Sequence, residues 1–360
     1  MGARWCRSPF AGRRAPGVRP KATCDPFLGG RPAGSATGMA ISAFQFCRMT
    51  CINSSRGRDC GPDPKEQCME LDRGLARGDL RLPEGSVRVV TSCDERYLPY
   101  VAVLAASLAS SRVPTTEVEL TIMQADVGAW ARRQLTEAAP GLALNWVDVD
   151  KSAYRAASVE DEPLIQQPRY FRCLIGTLLP RTLRRCIYLD GDTLVRGDLY
   201  DLWTTDLGGA VIGAALDYFL PRTEAAIAPW RELGLDPDAL YFNSGVMLID
   251  LDAWRAADVG ARVLRTCIRY RAHLMAQGKW PQHDQFGLNA VLQTRWHQVS
   301  QDWNYLSEMP SYEPCVVHYC GGGKPASPTC KPQFSAWFYD TLRTTAWRDH
   351  QPSVPARNDA

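Results

Sequence analysis

The stretch from Arg184 to Trp203, RRCIYLDGDTLVRGDLYDLW, places two carboxylates, Asp190 and Asp192, on either side of Gly191 directly after an apolar run. That run, Cys186 to Leu189, is short, β-branched and aromatic, which predicts a buried strand ending in a turn at Gly191. Residues i and i+2 at a strand end project to one side, so the two carboxylates converge on a point in front of a sheet. Carboxylates that close repel, and a divalent cation relieves the repulsion while both stay ionised. Oxygen ligands of this kind suit Mg²⁺ or Mn²⁺, and an ion held by few protein groups keeps positions for diphosphate oxygens. Taken alone, such a motif is more often a pair of solvated turn acids.

His318 ends a second apolar run, CVVHY, and CGGGKP follows it. An imidazole beside two carboxylates favours Mn²⁺ over Mg²⁺, because a nitrogen donor gains more from the softer transition ion. Gly321 to Gly323 let the backbone approach a ligand closely, and Lys324 supplies a point charge of the kind used on phosphates. A metal and an ammonium together neutralise a leaving diphosphate.

Strand and helix patterns alternate around these residues. Val87, Val89 and Val90 read as a strand, and the stretch after Tyr97 has the spacing of an amphipathic helix. TEVELTIMQAD and LALNWVDVD supply two more strands, with a helix around GAWARRQLTEAA between them. Arg169 to Leu179 reads as a helix closed by Pro180. GAVIGAALDY and YFNSGVMLIDLDAWR, an Arg-rich helix from Val259 to Met275, and a helix over PQHDQFGLNAVL follow. This order predicts an α/β fold with a mostly parallel central sheet flanked by helices, as a single catalytic domain over residues 85–340.

Across 360 residues, 41 basic side chains face 39 acidic ones, so no global nucleic-acid footprint exists. Residues 1–84 carry an Arg excess, many Gly and Pro, and six of the 13 cysteines; they are expected to be a disordered leader or a non-native extension. Met39, Met49 and Met69 offer later starts. The Cys47 to Cys68 cluster lacks the paired C-x2-C spacing of a zinc site. Residues 341–360 are expected to be a loose tail. No apolar run approaches the ~18 residues of a membrane span, and an N-terminal apolar signal is missing, so the expectation is a cytoplasmic chain with reduced thiols. The region of Trp337, Phe338 and Trp347 offers either helix packing or a peripheral membrane contact.

In order and spacing these motifs resemble the retaining glycosyltransferases of family 8, in particular bacterial lipopolysaccharide galactosyl- and glucosyltransferases with a GT-A, Rossmann-like fold. The resemblance covers about Val87 to Lys324. It implies Mn²⁺, with Mg²⁺ as the alternative, on Asp190, Asp192 and His318. It implies uridine and ribose contacts at Ser92, Cys93, Asp94 and Tyr97, and donor contacts at Arg172, Gly191, Asn243 and Gly245. Gly321 and Lys324 would meet the diphosphate. Asp284, Gln285 and Asp217 would flank the anomeric carbon and the acceptor. Two departures stand out: Ala326 replaces the Trp that ends the family's Lys-Pro-Trp motif, and the basic, aromatic tail is short.

The implied reaction moves a hexose, galactose or glucose, from a UDP-sugar to a hydroxyl of a glycan or lipid-linked saccharide in cell-envelope synthesis. A carboxylate nucleophile would make retention a covalent double displacement. Gln285 is a poor nucleophile, which favours same-face attack. Two other readings compete: a phosphohydrolase of the Asp-x-Asp type, although Leu194 stands where that motif has Thr or Val, and a UDP-sugar or glycan-binding protein without turnover.

Overall fold

The computed structural model describes residues 86–112, 116–159, 163–276 and 283–350. β1 (Val87–Cys93) is buried along its whole length, as a strand is when helices cover both faces of the sheet. α1 (Leu98–Ser111), β2 (Val118–Gln124), α2 (Ala129–Ala138) and β3 (Ala143–Asp148) follow. β4 (Arg185–Leu189), β5 (Thr193–Val195), β6 (Ile212–Leu216) and β7 (Phe242–Asp250) form the middle of the chain. α3 (Val259–Arg269), α4 (His283–Leu292), β8 (Trp296–Gln298), β9 (Tyr305–Leu306), β10 (Val316–His318) and α5 (Pro332–Leu342) complete it.

Seven strands make the main sheet in the order β3-β2-β1-β4-β7-β6-β8, and β5-β10-β9 make a small one. β7 runs antiparallel to β4 and β6, while the other main-sheet pairs are parallel. The reversal at β7 positions the site. Leu189 at the end of β4 lies opposite Val246, so the first residues of β7 stand beside the Asp190 turn. The Asp190 amide donates to the Gly245 carbonyl at 2.7 Å. In the small sheet His318 pairs with Thr193 and Leu306, and the Tyr319 amide donates to the Asp192 carbonyl at 2.9 Å. Apolar side chains fill both faces of the main sheet, and a third cluster lies under the small sheet against α5.

Several elements differ from their sequence expectation. α1 is buried from Leu98 to Leu108 rather than amphipathic, because it packs against the β1–β4 face on one side and against β5 and α5 on the other. Residues 168–174 form a 3-10 helix followed by one α-turn, Ile175–Leu178, in place of a continuous α-helix. The Arg-rich helix ends at Arg269, and a short one, Arg271–Ala276, restarts past Tyr270. The segment expected to loosen at residue 341 stays packed to residue 350: Leu342 and Thr345 are buried, and Trp347 meets Trp130 edge-on at 5.9 Å. Phe338 is buried and Arg196 lies 3.5 Å over the Trp337 ring, so these aromatics serve packing. Cys93, Cys173, Cys186, Cys267, Cys315, Cys320 and Cys330 are free thiols. No described helix is long and apolar enough to cross a membrane. Residues 1–84, with the Cys47–Cys68 cluster, and residues 351–360 lie outside the described residues.

Candidate active site

The Asp190-Gly191-Asp192 turn is held tightly. The Thr193 amide and hydroxyl both donate to the Asp190 carbonyl, at 3.1 and 2.8 Å. Gly191 is required by space: a Cβ there would stand 2.9 Å from Val101 Cγ2 and 3.4 Å from the Ser92 carbonyl. The turn is thus pressed onto α1 and β1, which aims both carboxylates toward β10.

Each carboxylate has its own cation. Arg172 Nη2 meets Asp190 Oδ1 at 2.5 Å, and its Nε meets Asp284 Oδ2 at 2.9 Å. Its guanidinium also donates to the Ser244 carbonyl at 2.7 Å and lies 4.5 Å over the Tyr188 ring. Lys324 pairs with Asp192, donates to Tyr97 Oη at 3.2 Å, and sits 5.1 Å from the rings of Tyr97 and Tyr100. Burial would deprotonate Lys324, but the Asp192 charge outweighs it and holds the ammonium above its usual range. Burial opposes ionisation of Asp192 as well, yet Lys324 and His318 bring its carboxyl below the usual range. At Asp190 burial wins over Arg172, and the carboxyl is raised.

His318 completes the cluster. Its Nε2 lies 3.5 Å from Asp190 Oδ2 and 3.5 Å from Asp192 Oδ1. Ligand atoms of these three side chains all fall within 4.8 Å of one another. Nδ1 meets Asn304 Oδ1 at 2.9 Å, while Asn304 Nδ2 donates to Asn243 Oδ1 at 2.8 Å. An acceptor at Nδ1 assigns the proton there and leaves Nε2 its lone pair. Nε2 is buried without a hydrogen-bond partner. Two carboxylate oxygens and one imidazole nitrogen, converging with that orphan acceptor, fit a divalent cation.

The opposite wall is built of amides around Asp217. Asp217 Oδ2 accepts from Asn243 Nδ2 at 3.1 Å and from Gln285 Nε2 at 3.0 Å; its Oδ1 accepts from the Phe219 and Leu220 amides. Gln285 Oε1 in turn accepts from the Ser244 amide at 3.0 Å. Gln285 and Asp284 sit in the first turn of α4, which opens at His283 in a left-handed backbone conformation, φ 40°. Burial raises the Asp284 carboxyl to about 6 against the pull of Arg172.

The other expected residues also make contacts within the fold. Ser92 Oγ contacts Tyr188 Oη at 2.9 Å and so reaches Asp190 only through it. The Cys93 thiol lies in the core, where burial pushes it up to about 12, because its side chain alternates away from the strand face that Ser92 occupies. Asp94 caps the turn ahead of α1, accepting from the Tyr97 amide at 3.1 Å, and pairs with Arg96. Asp284 faces Arg172 instead of standing free. At Gly245 the close approach is by the His318 ring, which a Cβ would strike. Gly321 takes φ 51°, a left-handed turn that suits glycine. Asn304, fully buried, was invisible in QDWNYL: an isolated amide in a loop carries no spacing signal. Tyr188 and Ser244 lie inside strand patterns, where residue type alone does not mark a site residue.

A parallel-to-antiparallel sheet with an acidic turn and an amide wall at its strand ends has the arrangement of a GT-A-like fold. A family profile described as "Glycosyl transferase family 8" matches residues 88–327, and the chain belongs to that family. It is 26% identical over 282 residues to general stress protein A of Bacillus subtilis, covering 72% of this chain and 94% of that protein. It is 28% identical over 203 residues to the lipopolysaccharide 1,2-glucosyltransferase of Escherichia coli, covering 51% of this chain and 56% of that enzyme. Among solved structures, the galactosyltransferase LgtC in complex with donor and acceptor sugar analogs superposes with a TM-score of 0.60 at 24% identity, over 75% of this chain and 98% of that one.

Proposed function

We propose that the protein is a retaining hexosyltransferase that moves galactose or glucose from a UDP-sugar to a hydroxyl of a cell-envelope glycan, such as a lipopolysaccharide saccharide. The observation that carries this reading is the convergence of Asp190, Asp192 and the orphan His318 Nε2 beside two buried cations, Lys324 and Arg172. The three ligands would hold Mn²⁺, or Mg²⁺, which supplies Lewis-acid stabilisation of the diphosphate. Lys324, held charged by Asp192 and flanked by two tyrosines, offers its ammonium to the same phosphates. Tyr97, 38% exposed, and the Asp94 turn offer a platform for the uridine.

Gln285 and Asp217 would flank the sugar. A carboxamide is not a nucleophile, Asp284 is held by Arg172, and both oxygens of Asp217 are occupied by four hydrogen bonds from Asn243, Gln285 and two backbone amides. None of the three is free to form a glycosyl-enzyme bond. This supports same-face attack, in which a departing phosphate oxygen accepts the acceptor proton and Gln285 steadies the developing positive charge through its carbonyl.

The test is UDP release from a panel of UDP-sugars, with Mn²⁺ and with chelator, in parallel with Asp192→Ala. Mn²⁺-dependent release from one sugar, absent in the variant, is the expected result and names the donor. Metal-dependent UDP binding without turnover on any sugar or acceptor glycan would instead make the chain a binding protein. Phosphate release from simple esters would return the phosphohydrolase.

A further inference from the structure

The Arg-rich stretch after Val259 has no part in the site described above. In the fold it is one wall of a second cleft, of about 290 Å³, lined by Arg262, Arg265 and Arg269 of α3 over a floor of Leu233, Ala290 and Val291. The three arginines are exposed and occupy one helical face, at spacings of three and four residues. Arg262 to Arg269 spans ~10 Å of helix axis. Arg265 is tied to Asp258 at 2.7 Å. Among the described residues, Arg262 and Arg269 meet no carboxylate: Arg262 reaches only the Ala257 carbonyl at 3.4 Å, and Arg269 lies 5.7 Å from its neighbour's ring, Tyr270. Arg231 and Glu232, both exposed beside Leu233, offset each other.

Like charges placed along one face repel, so a row of them is favourable only where an anion can share them. Guanidinium forks match phosphate oxygens, and the apolar floor suits the hydrophobic side of a sugar ring. The volume stands near the lower end of ligand clefts, ~300 Å³, and the hollow opens to solvent, which suits a phosphate carried on a small body. No large apolar side chain is exposed at the rim, which argues against insertion into a bilayer. Val291 lies six residues beyond Gln285 on α4, or ~9 Å along the axis, so the cleft is separate from the donor site. We propose that this cleft binds a phosphate group carried on a saccharide-sized body. The inference is independent of the donor and acceptor assigned above.

The experiment is titration of the full chain with inorganic phosphate, followed by calorimetry at low ionic strength in chelator. Wild type is compared with Arg262→Gln/Arg269→Gln, which leaves the Arg265–Asp258 pair intact, and with Lys324→Met. The double variant should bind at this site about tenfold or more weakly, with an unchanged melting curve, and Lys324→Met should keep the binding. Equal affinity and stoichiometry in wild type and double variant would overturn the proposal, as would loss of all phosphate binding in Lys324→Met. Co-sedimentation with phosphatidylglycerol but not phosphatidylcholine vesicles, lost in the double variant, would assign the phosphate to a lipid headgroup. Phosphate binding without sedimentation would assign it to a soluble ester.

Discussion

On the wall formed by the Asp190 turn and β10, four charged side chains and a histidine are buried together, each carboxylate matched to one cation. On the wall formed by β6, β7 and Gln285 of α4, Asp217 is surrounded by Asn243, Gln285 and backbone amides, while Asp284, next to Gln285, turns to Arg172. Buried charges are tolerated on the first wall only as pairs, and a paired charge can exchange its partner for a ligand of the same sign. The amide wall has little to exchange, since nearly every donor and acceptor is satisfied within it, and so it holds a fixed shape. The first wall is built to receive charge, the second to orient a neutral sugar. Asn304 joins them, touching His318 on one side and Asn243 on the other.

The sharpest break of this contrast is Asp192→Ala. Transfer should fall by ~10³-fold or more as charge stabilisation worth several kcal/mol is lost. The same change strands Lys324 and should cost ~3–5 kcal/mol in denaturant unfolding. Adding Lys324→Met should restore much of the stability and none of the activity. If the single variant melts like wild type, the charged wall is not paired as described.

Gln285→Ala addresses the other wall. It should lower kcat by ~10²–10³-fold with a smaller effect on KM for the donor, and cost ~1–3 kcal/mol through the unsatisfied Ser244 amide. A pure KM effect would show that Gln285 binds the sugar equally in ground and transition states.

Asp284 separates the walls by pH. Burial raises its carboxyl to about 6, so between about pH 4 and 6 the folded chain holds a proton that the unfolded chain has released. Its contribution is full below about pH 4 and is lost as pH rises through 6, by up to ~3 kcal/mol. Unfolding free energy of wild type minus that of Asp284→Asn should therefore fall across this window. A flat difference would place the ordinary carboxyl value at Asp284.

Asn304→Ala should have the mildest effect. Losing the atom that orients His318 should weaken Mn²⁺ binding ~10–100-fold, measured by titration without donor, while the fold and the Asp217 network persist. Unchanged metal affinity would uncouple the two walls.

Much of this was legible in the chain. Strand and helix alternation, the acidic turn, His318 and the Gly-Lys run all depend on local pattern, because a strand end followed by a turn is written in neighbouring residues. Local pattern failed where burial came from afar. α1 was expected to be amphipathic, yet the small sheet covers its second face. At Gly245, the missing Cβ makes room for a histidine 73 positions later in the chain, a contact that no local pattern carries.

The sequence by itself determined the elements, the family's motif order and the identity of the converging ligands, since these rest on residue type and short spacing. Only the tertiary structure decided who pairs with whom: Arg172 with Asp190 and Asp284, Lys324 with Asp192, Asn304 between His318 and Asn243. Those partners lie up to 132 residues apart, and what brings them together is the reversal of β7 and the return of β10, which no spacing along the chain encodes.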